Sequence, residues 1–246
     1  MTGTHINSAA EHLPGIPLPP LIPGKLVKRY KRFLADVVLA DGRKVTAHCP
    51  NSGRMLTCSE PGRPVFLSRH DNPRRKLKYT WELIRMPDSL VGVNTLLPNR
   101  LVAHAAAGGV IPELAGYPDI RREVKVGDHS RLDLRLRSPK NGTCYVEIKN
   151  CTLVENGIAR FPDAVTTRGR KHLAELGRLA GDGQRAVIFF LIQRMDAAYF
   201  RPADDIDPDY GRALRKAHAA GVEILAYDVI IDLTAVTLNR PVEFKI

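Results

Sequence analysis

Asp133, Glu147 and Lys149 are the residues whose types and spacing could do chemistry. Asp133 lies in Arg131–Arg137, where polar residues alternate with leucines. On a strand, Leu132, Leu134 and Leu136 would share one face and Asp133 would take the other. In Tyr145–Lys149, Val146 and Ile148 take one face, Glu147 and Lys149 the opposite one. If the two segments are neighbouring strands, the three polar groups converge. Two carboxylates can hold a hard divalent cation such as Mg2+ or Mn2+. Such an ion polarises a phosphodiester oxygen and acidifies a bound water, and a lysine beside it steadies developing phosphate charge. One Asp, then Glu-x-Lys a short hairpin later, is the layout of a metal-dependent nuclease, endo- or exo-acting. The plain alternative is an edge-strand ion cluster that serves solubility.

Other residues extend this set. Glu113 and Glu123 are candidates for a further metal ligand. Gln193 ends the apolar run Ala186–Ile192, where a polar tip could reach the same crevice. Thr166, Arg168 and His172 open an expected helix whose N-terminus can bind phosphate, although a solvated helix end is the commoner situation.

The second group of residues is basic. Lys25, Lys28, Arg29, Lys31 and Arg32 are interleaved with Tyr30 and precede Phe33. Arg69, Arg74, Arg75, Lys76 and Lys78 lead into Tyr79 and Trp81, and Arg54 lies between the two clusters. Basic loops beside exposed aromatics suit a nucleic-acid backbone, whereas aromatics that fill a core would leave only the charge. No zinc finger or basic heptad region is present to read bases. Thr166–Leu179 could pose as a recognition helix, but strands surround it rather than a trihelical core. Phosphate contacts without base contacts give little sequence selectivity.

The elements that must position these residues form two parts. Residues 1–25 are rich in Pro and small residues and read as a loose arm. Residues 26–97 read as a small barrel of five short strands, Leu26–Leu39 being the first, either OB-like or SH3-like. Residues 98–246 read as α/β. They carry a helix from Pro98 to a glycine stop and three strands, then a helix over 167–180 and the buried strand Ala186–Ile192. A further helix over 210–220 and a last strand Val222–Ile231 complete a βαβ unit.

The chain has 246 residues and a formal net charge of +11. A surplus of that size attracts polyanions. It is uneven: residues 1–97 hold 15 Lys or Arg against 7 Asp or Glu, and the remainder holds 22 against 19. The barrel is therefore the expected polyanion-binding module. The run Ala186–Ile192 is too short to span a bilayer, and no secretory signal opens the chain. Cys49, Cys58, Cys144 and Cys151 form no C-x-x-C pair and read as reduced thiols of a cytoplasmic protein.

The strings RYKRFLADV, HCPNSGRM, PGRPVFLS, TWELI, VGVNT, SRLDLRL, YVEIKNCTL, FPDAVTTRGRKHLAEL and GVEILAY resemble the sugar fermentation stimulation protein family, in order, from about Leu26 to Tyr227. The resemblance implies an OB-like barrel followed by a domain similar to the PD-(D/E)XK nucleases. It implies non-specific DNA binding and a regulatory link to maltose and sugar metabolism. It also puts Asp133, Glu147 and Lys149 on the nuclease-like positions. The Pro-rich arm is longer than in the family, and Asn150-Cys151 stand where small or β-branched residues are expected. The resulting expectations are sequence-independent DNA binding, hydrolysis at the acidic site, or an RNA- or protein-docking module.

Overall fold

The computed structural model describes residues 15–127 and 130–246. Residues 1–14 of the expected arm lie outside the described part, and the rest of that arm is not loose. Gly15–Pro17 form strand β1, and β2 (Leu21–Tyr30) begins within the arm. Proline is tolerated in β1 because that strand is a sheet edge, paired on one side only.

The barrel contains β2, β3 (Leu34–Leu39), β4 (Lys44–His48), β5 (Pro64–Arg69) and β6 (Tyr79–Arg85), with β7 (Leu90–Gly92) paired outside β6. Its strands follow the order β4-β3-β2-β5-β6, and parallel pairing of β4 with β6 closes it. That closure of the third barrel strand on the fifth is the OB arrangement and excludes the SH3-like reading. The expected first strand, Leu26–Leu39, is in fact a hairpin. Lys31 (φ 47°) and Arg32 (φ 62°) turn the chain between β2 and β3. Two successive left-handed residues match the twist of paired strands, but Lys-Arg carries none of the Asn or Gly signal that marks such turns. Leu26, Val37, Leu67, Trp81 and Ile84 fill the barrel core.

The second part is α/β. It comprises α1 (Leu97–Ala107), β8 (Asp119–Val126), β9 (Ser130–Ser138), β10 (Gly142–Cys151), β11 (Leu153–Glu155) and β12 (Ile158–Phe161). There follow α2 (Thr167–Gly181), β13 (Arg185–Ile192), β14 (Tyr199–Pro202), α3 (Pro208–Ala219), β15 (Glu223–Ile231), β16 (Ala235–Pro241) and β17 (Glu243–Phe244). One sheet runs β1-β16-β15-β13-β10-β9-β8, with β10, β13 and β15 mutually parallel and the outer pairs antiparallel. Its central strands are buried on both faces. Along β13, Val187, Phe189 and Leu191 pack on the α1 side, while Ala186, Ile188, Phe190 and Ile192 pack on the side of α2 and α3. This is why β13 reads as a continuous apolar run.

A second sheet, β11-β12-β14-β17, escapes a sequence reading because its strands are two to four residues long. Asn156 (φ 52°) and Gly157 (φ 74°) form the turn between β11 and β12, and that Asn-Gly dipeptide was a usable signal. Helix starts follow their caps: Thr166 Oγ1 accepts from Gly169 N, and Asp207 accepts from Tyr210 N just before Pro208.

Candidate active site and nucleic-acid interface

Strands β9 and β10 are neighbours, paired antiparallel from Gly142↔Ser138 to Val146↔Leu134. There the ladder stops and the strands fork. Asp133 is one step past the last pair, level with Glu147. Its carboxylate takes the amide that β9 no longer meets: Ile148 N donates to Oδ2 at 2.7 Å. Oδ1 accepts from Asn99 Nδ2 of α1, also at 2.7 Å. The expected common face for three leucines fails at this point. Leu134 and Leu136 pack in the α1-side core, whereas Leu132 joins the α2-side core, because β9 changes its packing partner at the fork.

Glu147 and Lys149 share the α2 face of β10, as their spacing requires. Glu147 is 2% exposed. Its Oε1 accepts from Lys149 Nζ at 2.6 Å and from His172 Nδ1 of α2. Arg168 Nε lies 3.4 Å from His172 Nε2, so the partners assign the tautomer with Nδ1 protonated and Nε2 accepting. Thus α2 delivers Arg168 and His172 to the site one turn apart. The other oxygen, Glu147 Oε2, is buried without a partner, as is the hydroxyl of Tyr210.

The two carboxylates are driven apart electrostatically. Burial, then the charge of Glu147, push Asp133 up to about 6, against the Ile148 amide, Lys149 and Asn99. Burial also disfavours the Glu147 carboxylate, but the His172 hydrogen bond and the Lys149 ammonium outweigh it and hold its pKa below the usual value. Two carboxyl groups whose surroundings push their pKa values in opposite directions are a recurring property of reactive sites.

Three expected members are placed elsewhere. Glu113 accepts a hydrogen bond from Tyr227 Oη at 2.7 Å, on β15, two strands across the sheet from β10. Glu123, on β8, is level with Asp133 by register, but its side chain is half-exposed and faces Arg131 at 3.8 Å. Among the described residues no three His, Cys, Asp or Glu side chains gather into one set, so neither completes a cage with Asp133 and Glu147. Gln193 belongs to the seam between the two parts. Its Nε2 donates to Asn150 Oδ1 at 2.6 Å and its carbonyl accepts from Gly92 N at 2.9 Å. Alternation along the strand puts Asn150 on the face opposite Lys149, and Gln193 goes with it.

The four cysteines are free and buried, and burial pushes Cys58 up to about 11. They are inert core thiols.

The basic clusters occupy barrel loops. Lys31 and Arg32 form the turn between the first two barrel strands, and both are exposed, as is Lys28. Phe33 beside them is 45% exposed, while Trp81 is fully buried in the barrel core. Arg74, Arg75, Lys76 and Lys78 lie in the loop between the fourth and fifth barrel strands. There Arg75 donates to Thr80 Oγ1 at 2.9 Å, and Lys78 to the Asn72 carbonyl at 3.1 Å. These are the two loops with which OB folds commonly meet oligonucleotides. Arg29 is engaged internally instead. Its guanidinium donates to the carbonyls of Asn51, Gly53 and Arg54 and fixes the loop that carries exposed Arg54. From the other side Asp163 holds that loop through Met55 N at 2.9 Å.

The family model described as the sugar fermentation stimulation protein RE domain matches residues 96–235, and that of the SfsA N-terminal OB domain matches residues 27–93. A sugar fermentation stimulation protein homolog of Geotalea uraniireducens is 58% identical over 208 residues, covering 85% of this chain and 90% of that protein. The homolog of Geobacter sulfurreducens is 57% identical over 221 residues, covering 90% and 94%. Among solved structures, Pyrococcus furiosus SfsA in complex with Ca2+ superposes with a TM-score of 0.86 at 30% identity, over 94% of this chain and 98% of that one.

Proposed function

We propose, for a chain that belongs to the sugar fermentation stimulation protein family, that it binds nucleic acid through backbone phosphates, DNA foremost and without selecting sequence. The observation that carries this is the placement of Lys31, Arg32, Arg74, Lys76 and Lys78, all exposed, on the two binding loops of an OB barrel. Their charge acts on any phosphodiester strand, and contacts to phosphate carry no sequence information. A regulatory role in sugar metabolism rests on the family name.

A second reading is hydrolysis of the bound strand, favoured by the buried, unpartnered Oε2 of Glu147 beside the Asp133 carboxylate. An all-oxygen donor set of two carboxylates fits a hard divalent cation, and the solved Pyrococcus relative is a complex with Ca2+. Asp133 and Glu147 would hold Mg2+ or Mn2+, which supplies Lewis acidity toward a phosphodiester oxygen. Lys149 sits within hydrogen-bond reach of Glu147 and can steady phosphate charge. Arg168 can reach a neighbouring phosphate from the first turn of α2. His172 keeps the Glu147 carboxylate ionised and oriented.

One experiment tests both readings. Labelled duplexes of unrelated sequence are titrated with the full-length protein at increasing salt, then incubated with Mg2+ or Mn2+. Comparable affinity for every sequence, falling steeply with salt, is expected. Salt-insensitive or strongly sequence-selective binding refutes the first reading. Cleavage no greater than that of an Asp133→Ala, Glu147→Ala double variant refutes the second.

A further inference from the structure

The edge ribbon β8–β9 carries a charge pattern that folding alone does not favour. Its register sets Arg121 directly opposite Arg135, and four residues further along β8 sets Lys125 opposite Arg131. Midway between these two rungs, Glu123 is level with Asp133, the carboxylate of the fork. Like charges directly opposed on paired strands destabilise a ribbon. Among the described residues the available compensation is thin. There Asp119 serves both Arg121, at 3.3 Å, and Arg135, at 3.4 Å. Glu123 approaches Arg131 only to 3.8 Å. The Nε of Arg135 is buried without a partner. The side chains of Arg121 and Arg131 are 67% and 55% exposed, and Lys125 is exposed as well.

We infer that β8–β9 is a second phosphate-binding element, distinct from the barrel loops, which holds a nucleic-acid strand beside Asp133 by seating phosphates at its basic rungs. The inference rests on the proposed nucleic-acid binding but adds a surface in the half of the chain with the smaller charge surplus. Each basic rung stands two residues from the acidic one, and Glu123 (φ 54°) breaks the regular pleat between them. A phosphodiester strand held at a rung lies beside the fork that carries Asp133. A phosphate at a rung also adds counter-charge beside the paired basic residues. The ligand is a phosphodiester backbone, and DNA and RNA probes distinguish its source.

The test measures the salt dependence of binding by fluorescence anisotropy for the full-length protein, an Arg121→Gln, Lys125→Gln variant, and an Arg201→Gln, Lys216→Gln control that removes equal charge from β14 and α3. The probes are a DNA duplex and a single-stranded RNA of equal length. The ribbon variant should lose about two from the slope of log K against log salt on the duplex, and about 1.4 on the single strand, with at least tenfold weaker binding at low salt. The control should keep the wild-type slope. The ribbon variant should unfold at the same temperature as wild type or higher, since like-charge repulsion is relieved. A ribbon variant that matches the control overturns the inference and leaves the proposed function standing. Wild-type protein that binds neither probe overturns both.

Discussion

At the scale of the residue, the central feature is a carboxyl group placed where its charge is costly. Asp133 has its pKa raised from 3.8 to about 6, chiefly by burial and then by Glu147. The folded protein therefore binds more protons at this site than the unfolded chain between about pH 4 and 6. Stability must fall as pH rises through that window, and the whole penalty is present above it. The size is roughly 2–3 kcal/mol, at about 1.4 kcal/mol per pKa unit. Urea unfolding from pH 4 to 7 should show this loss in wild type but not in Asp133→Asn, whose amide oxygen can still accept from Ile148 N. Mg2+ or Mn2+ should stabilise wild type more at pH 7 than at pH 5, because it favours the ionised pair. Identical pH profiles for the two proteins would remove the coupling.

At the scale of the element, α2 reaches the site only because its start is fixed. Asp207, 1% exposed, caps α3 through Tyr210 N at 3.0 Å and also accepts from Thr166 N, the cap residue of α2, at 2.7 Å. One buried carboxylate thus sets the first turns of two helices. Asp207→Ala removes a cap, leaves two buried amides unpaired, and should lower stability by about 2–3 kcal/mol. The change should also loosen His172 from Glu147, visible as altered exchange of the imidazole resonances. Loss of stability with an unchanged His172 signal would mean that α2 is positioned by its apolar face alone.

At the scale of the whole molecule, the two parts are locked by buried polar contacts rather than by a linker. Arg194, with a side chain 5% exposed, holds Asp196 at 2.5 Å, and its Nη1 donates to Thr57 Oγ1 of the barrel and to the Thr152 carbonyl of the α/β part, both at 3.0 Å. At Gly92 an added Cβ would lie 2.3 Å from Gln193 Oε1, so any side chain on β7 there would push Gln193 out of its place in the seam. Arg194→Ala should destabilise the seam by about 3 kcal/mol. The single tryptophan, Trp81, is buried in the barrel core and reports on that part alone. In wild type its fluorescence and the far-UV dichroism should report one transition. In the variant they should separate, and a single coincident transition there would show that the seam does not depend on Arg194.

The chain's periodicities were enough to determine the order of its parts, the helix from Pro98 and the helix over 167–180 to within a residue or two, the apolar β13 and the shared face of Glu147 and Lys149. Each of these follows from local alternation or capping, which a linear sequence records. The spacing also singled out Asp133, although not its reason for being there. What only the tertiary structure decided depends on which strands meet and where they part. The fork that gives Asp133 the Ile148 amide is of this kind, as is the assignment of Gln193 to the seam. So are the withdrawal of Glu113 to Tyr227, the internal use of Arg29, and the basic rungs of β8–β9. A side chain's partner across the fold is set by register and packing between distant segments, and neither is written in the residues on either side of it.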